Sequence, residues 1–391
     1  MTGSDGFQAL PRHLLGSAIE QGDMDAFARS PFWTRDYIGL GPYRIAQWQP
    51  GSSLEYVAFD QHVLGRPRIG RVKIIFVGDT NAALANLLAG SVDFVGDSAI
   101  GLEQALTLQD EWERGGAGTV FYRASQWRYT AFQLRPELAS PQAMLDPRVR
   151  KALAYAVDRQ ALNDSIYHGQ MAVSDFLISP QSQWGPAVAA AAATYPYDLQ
   201  RSAQLMAEAG FTRGADGMYE SAVEGRFNAE VKTADSPNWD AEAIAMAATW
   251  RAAGFGVQEA VLPAALSTDP EARVTFPGMF TSTTSQGEQT LSAFTIAQIP
   301  RAENRWRGGS NRGGWSSPVY DRLLDEFTTS LDPATRAAQL AQMAGVFTDD
   351  LPAISLLFEA QPYATVAALH GVLPVGPDGD ITWNAYEWAF R

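Results

Sequence analysis

The chain has no cysteine among its 391 residues. That absence excludes disulfides, thiolate metal sites, cysteine nucleophiles and the lipid-attachment cysteine of a bacterial lipoprotein. Basic residues are scarce beside acidic ones: 29 Lys and Arg against 43 Asp and Glu, a formal net charge of −14. A surface of that sign repels phosphate backbones and anionic headgroups, which argues against nucleic-acid partners and direct membrane insertion. Long hydrophobic runs are missing too. The longest small-apolar stretch, Ala187 to Ala193, is nearly all alanine and far short of the ~18 residues of a membrane span. The opening segment MTGSDGFQALPRHLL has neither a basic region nor an apolar core. It does not read as a secretory signal, so the chain taken alone implies a cytoplasmic location, or else a leader lying outside it.

What is present is an ordinary globular composition, 46% hydrophobic and 18% charged. At ~150 residues per domain the length suggests two or three domains. Tyr43 to Trp48 and Leu54 to Phe59 alternate like strands around a Pro50-Gly51 turn. Val72 to Val77 is apolar on both faces apart from Lys73, the pattern of a strand covered on both sides. A helix capped by Asp79 or Thr80 and ended by Gly90 follows, then a short strand at Val92 to Val95. Together these predict a strand–helix–strand crossover.

The middle of the chain is punctuated by helix starts. Asp146-Pro147 opens one helix with the stripe Val149, Ala152, Leu153, Ala156, Val157, and Gly169 lies beyond its end. Asp198 to Ala209 is another, stopped by Gly210. Ser236-Pro237, Ser317-Pro318 and Asp332-Pro333 open three more, and Phe255 to Leu262 reads as a strand. Residues 263–316 are rich in Thr, Ser, Gly, Asn and Arg. A polar stretch of that length in a compact domain is usually mobile or functional.

Motifs for catalysis are missing. The four histidines, His13, His62, His168 and His370, have no metal-ligand spacing, and no HExxH, GxSxG or GxxxxGK[ST] occurs. The expectation is therefore no catalytic residues, no metal and no cofactor. Eleven Trp among many carboxylates keep a carbohydrate-binding or carbohydrate-active protein open as an alternative.

The segment DPRVRKALAYAVDRQAL (Asp146 to Leu162) followed by Gly169 resembles the signature of the family 5 extracellular solute-binding proteins, the oligopeptide- and dipeptide-binding components of ABC importers. Further stretches of the same resemblance follow in order: LPRHLL (Leu10 to Leu15), GPYRIAQWQPG (Gly41 to Gly51), NAALANLLAGSVD (Asn81 to Asp93), YPYDLQRSAQLMAEAGF (Tyr195 to Phe211), GWSSPVYDRLL (Gly314 to Leu324), LPAISLLFEAQ (Leu351 to Gln361) and WNAYEW (Trp383 to Trp388). The resemblance implies an α/β, two-lobed fold of the type II, peptide-binding periplasmic class. It assigns residues 1–125 plus 363–391 to a first lobe and 126–362 to a second, with crossovers near Ala124 to Tyr129 and Leu356 to Tyr363. Family members carry a long section ahead of the LPRHLL region, so the resemblance implies an incomplete first lobe. A remnant that no longer binds is then a second open alternative.

By the same resemblance the function is capture of a peptide-like or other small polar solute between two lobes. Closure presents the solute to permease subunits in the membrane, in a periplasmic or extracytoplasmic setting. The implied ligand-binding residues are Trp127, Arg128 and Tyr129 at the crossover, Thr281, Ser282, Thr283, Ser285 and Gln286, then Asn311, Arg312 and Trp315. The family's peptide binders resemble one another in a Trp-x-x-Asp-Tyr stretch whose aspartate holds the α-amino group. This chain reads MFTSTTSQGE there, with Glu288 the nearest carboxylate. A neutral ligand, or an anionic group met by Arg301, Arg305, Arg307 or Arg312, therefore suits it better than a free-amine peptide.

Overall fold

The computed structural model describes residues 10–391 apart from 97, 235–236 and 378. The Ser236 cap thus lies outside the described residues. The chain divides into two compact units, Met1–Arg123 with Gln361–Arg391, and Ala124–Ala360. No helix among the described residues is long and apolar enough to cross a membrane.

In the first unit α1 (Arg12–Glu20) precedes an antiparallel meander of β1 (Tyr43–Gln49), β2 (Ser53–Ala58) and β3 (Arg71–Ile75). The hairpin turn falls at Pro50-Gly51, where Gly51 has φ +74°, a conformation glycine adopts at no steric cost. The apolar run at Val72 to Val77 is not covered on both sides as its composition implies. β3 is the last strand of the meander, and Ile74, Ile75 and Phe76 are exposed. The expected crossover also fails. α2 (Thr80–Leu88) is capped by the Asp79 carboxylate, which accepts from Ala82 N–H at 2.7 Å. The strand after it, β4 (Phe94–Val95), pairs with Ala364 and Thr365 instead of with β3. α3 (Leu102–Gly115) packs Leu108 and Trp112 onto Leu87, Val95 and Ile100.

Two long strands, β5 (Gly118–Phe132) and β9 (Ala353–Val366), contribute to both units. In the second unit the helices follow their start signals. Asp146 caps α4 (Pro147–Tyr155) by accepting from Arg148 N–H at 2.8 Å. The stripe does not continue as one helix: Asp158 accepts from Ala161 N–H at 2.9 Å and starts α5 (Arg159–Tyr167). Ala156 and Val157 sit buried in the break. α6 (Leu199–Glu208) ends before Gly210, with φ +87°. β6 (Asn228–Ala234), α7 (Pro237–Ala252) and β7 (Gly256–Leu262) form a parallel strand–helix–strand unit. β8 (Met279–Ser285) lies between β6, to which it is parallel, and β5, to which it is antiparallel. The polar stretch therefore contains a central strand. α8 (Pro318–Thr329) and α9 (Pro333–Asp350) complete the unit, capped by Ser317 and Asp332.

Burial raises the Asp146 carboxyl's pKa, but hydrogen bonds from the Arg148 side chain and backbone outweigh it and leave the pKa below the ordinary value. The stability this carboxylate adds is full above its unfolded pKa and is lost as pH falls through the depressed one. Asp146→Ala is expected to cost about 1 kcal/mol, read as a shift in urea midpoint at neutral pH. An unchanged midpoint would show that the cap contributes nothing.

Candidate functional site

β5 and β8 carry most of the candidate side chains, and the pleat sends neighbours to opposite faces. Trp127 and Tyr129 point one way, stacked with ring centroids 4.4 Å apart. They join an aromatic core with Phe294, Phe347 and Trp315. The Trp127 indole N–H donates to Ser355 Oγ at 2.7 Å, and Tyr129 Oη donates to the Ser310 carbonyl at 3.3 Å. Ser282, opposite Tyr129 in the register, shares this side and is buried.

Asn311 is 2% exposed and bonded throughout. Its amide donates to the carbonyls of Phe294, Thr295 and Trp315, and its Oδ1 accepts from Trp315 N–H. That network explains why the polar loop at 311–315 folds tightly. Trp315 donates from its ring nitrogen to Asp350 Oδ2 at 3.0 Å. Trp127, Tyr129, Asn311 and Trp315 thus direct their polar atoms into the fold itself. Arg312 lies on the same side of the sheet, its guanidinium 5.8 Å from the Phe280 ring.

The other face carries Arg128, Thr130, Thr281, Thr283 and Ser285. Thr130 and Thr281 share a hydroxyl–hydroxyl bond of 3.1 Å, and Thr283 Oγ1 donates to Gln126 Oε1 at 2.9 Å. Gln286, half-buried, follows the strand. Arg128 is the centre of a buried charge cluster. Its Nε donates to Glu242 Oε1 at 3.1 Å, and its Nη2 to Glu242 Oε2. The side chains of this pair are 0% and 1% exposed. Tyr167 Oη donates to Glu242 Oε1 at 2.6 Å. The Trp239 ring lies 4.5 Å from the Arg128 guanidinium carbon. Glu359 Oε1 is 3.9 Å from Arg128 Nε. Arg128 Nη1 is buried and makes no hydrogen bond among the described residues.

Burial, then the Glu242 charge, pushes the Tyr167 hydroxyl well above its ordinary range, so it remains a donor. Burial raises the Glu359 carboxyl, Arg128 opposes that, and Glu242 adds to it. The cluster therefore holds a buried guanidinium N–H without an acceptor among the described residues, beside a carboxyl that burial makes less acidic than usual.

The eleven candidates consequently do not share one surface. Tyr167, Trp239, Glu242 and Glu359 were not among them. Glu242 is 114 residues from Arg128 in sequence, and no local pattern links the two. Glu288 is not a free carboxylate either, because it is paired with Arg336 and accepts from the Trp184 indole at 2.7 Å.

The fold is that of the two-lobed periplasmic peptide-binding class. NikZ from Campylobacter jejuni, solved in complex with Ni(L-His), superposes with a TM-score of 0.68 at 22% identity, covering 97% of this chain and 72% of that one. HbpA2 from Haemophilus parasuis gives a TM-score of 0.74 at 18% identity, covering 97% of this chain and 69% of that one. Residues 11–298 match the family described as bacterial extracellular solute-binding proteins, family 5 Middle, and the chain belongs to that family. The oligopeptide-binding protein AppA of Bacillus subtilis is 27% identical over 231 residues, which is 59% of this chain and 39% of AppA. The matched stretch therefore covers well under half the length of that relative.

Proposed function

We propose that the chain acts as a solute-binding component of an ABC importer. It captures a small polar solute outside the cytoplasmic membrane and delivers it, chemically unchanged, to permease subunits. The family match over residues 11–298 carries this reading. Peptide binding by AppA and Ni(L-His) binding by NikZ indicate the range of polar cargo this fold takes.

The polar face of the second unit supplies the contacts at Thr283 and Ser285, with Glu359 beside them; Arg128, fully buried, lies 3.9 Å from Glu359. The Thr283 and Ser285 hydroxyls meet acceptors on the solute, and Glu359 meets a hydroxyl or amide donor. An unblocked α-amino group is disfavoured because Glu288 is already paired. Thermal unfolding with a panel of free and N-acetylated peptides and oligosaccharides tests this. A ligand at 100 times its Kd adds about 2.7 kcal/mol, and the acetylated peptides should give the larger shifts. Equal shifts for free and acetylated forms would contradict the proposed preference.

A further inference from the structure

A cavity of about 210 Å³ in the second unit is lined by three arginines, Arg273, Arg307 and Arg312, together with Trp306, Gly308 and Gly309. No carboxylate among the described residues lines it. The Nε atoms of Arg273 and Arg312 are buried and make no hydrogen bond among the described residues. In the same loop the Asp269 carboxylate accepts from Ala272 N–H at 2.8 Å. In a chain of net charge −14 such a concentration of unneutralised positive charge is not a by-product of composition. Burial and the Arg312 charge both lower the Arg273 pKa, as expected for like charges confined together.

The walls are fixed from behind. Arg135 donates from Nη2 to the Pro300 carbonyl at 2.8 Å, and from Nη1 to the carbonyls of Arg312 at 2.8 Å and Val274 at 3.3 Å. Pro300 and Val274 also line the cavity, so one buried side chain ties three wall segments together. Gly314, at φ +79°, passes so close that a Cβ there would lie 2.8 Å from Arg135 Cγ. Arg305 and Trp306 hold φ +56° and +59°, an uncommon conformation for side-chain-bearing residues. The backbone segments that carry Arg273 and Arg312 are thus fixed before any ligand arrives, which lowers the ordering cost of binding.

We propose that this cavity binds a small oxyanion, a carboxylate or phosphate group, through Arg273, Arg307 and Arg312. Its volume is below the ~300–1,000 Å³ of a whole drug-sized ligand and suits one anionic group. Planar guanidiniums match either oxyanion through paired N–H···O bonds. The group comes from free anion in solution or from the acidic end of a carried solute.

The test is calorimetric titration of the full chain with inorganic phosphate alone, which needs no solute binding. It is repeated on Arg307→Gln, an exposed position, and on Arg312→Gln. Saturable phosphate binding weakened about tenfold or more by either substitution is expected. Titration with a peptide bearing a free C-terminal carboxylate and with its amide separates the sources. Equal affinity for the two marks a free-anion site. A tenfold preference for the acid, lost in Arg312→Gln, marks a solute subsite. Absence of saturable binding by both phosphate and the free-acid peptide, or affinities unchanged in both variants, overturns the proposal.

Discussion

Arg128→Met is expected to lower stability by about 3–5 kcal/mol. The substitution removes the guanidinium but leaves the Glu242 carboxylate 1% exposed, with the Tyr167 hydroxyl as its remaining donor. The loss is chiefly the cost of a buried charge without its counter-ion, larger than the worth of the pair itself. Arg128→Met/Glu242→Leu should therefore recover most of it, because replacing both charges by apolar groups removes the desolvation penalty as well. Urea unfolding of the two single variants and the double variant gives the coupling directly. A single-variant loss below about 1 kcal/mol would show that the pair is not desolvated as described.

Glu359 adds a pH signature. Its folded pKa is raised by burial, against Arg128 and with Glu242. Its contribution is full below the unfolded carboxylate pKa and falls as pH rises through the raised one. Glu359→Gln should flatten that part of the stability profile.

Phe347→Ala is the second large effect, again about 3–5 kcal/mol. The ring is fully buried and meets Phe294 at 5.2 Å, Phe176 and Trp315 at 5.4 Å and Trp127 at 6.2 Å between centroids, all edge-to-face. Truncation removes the shared partner of these four edge-to-face pairs, each worth about 0.5–1.5 kcal/mol beyond burial, and leaves a cavity. Near-ultraviolet circular dichroism should weaken with the stability, since two of the four partners are tryptophans. A loss under 1 kcal/mol would show that the core collapses freely around the gap.

The helix starts at Asp146, Asp198, Ser317 and Asp332 could be read because a cap is a local event, fixed within three or four residues. The break at Asp158 was misread because the apolar stripe runs on through Ala156 and Val157 and hides a second cap. β8 escaped for a different reason. Its Thr and Ser hydroxyls are satisfied across strands, as at Thr130–Thr281, but in sequence they look like a solvated loop. Val72 to Val77 shows the converse: an apolar run reports what a strand could bury, not whether anything covers it. The site was the least readable part. Residue type picked out Arg128, but its partners come from α5, α7 and β9, and only the folded chain brings them together.

The most direct test of the central claim is intrinsic tryptophan fluorescence of the chain titrated with peptides and oligosaccharides in free, acetylated and amidated forms, followed by mass analysis of the recovered solute. The account predicts a saturable change for at least one member, with a Kd near micromolar, equivalent to about −8 kcal/mol, and a solute of unaltered mass. A flat response across the panel, or a solute returned cleaved, would contradict it.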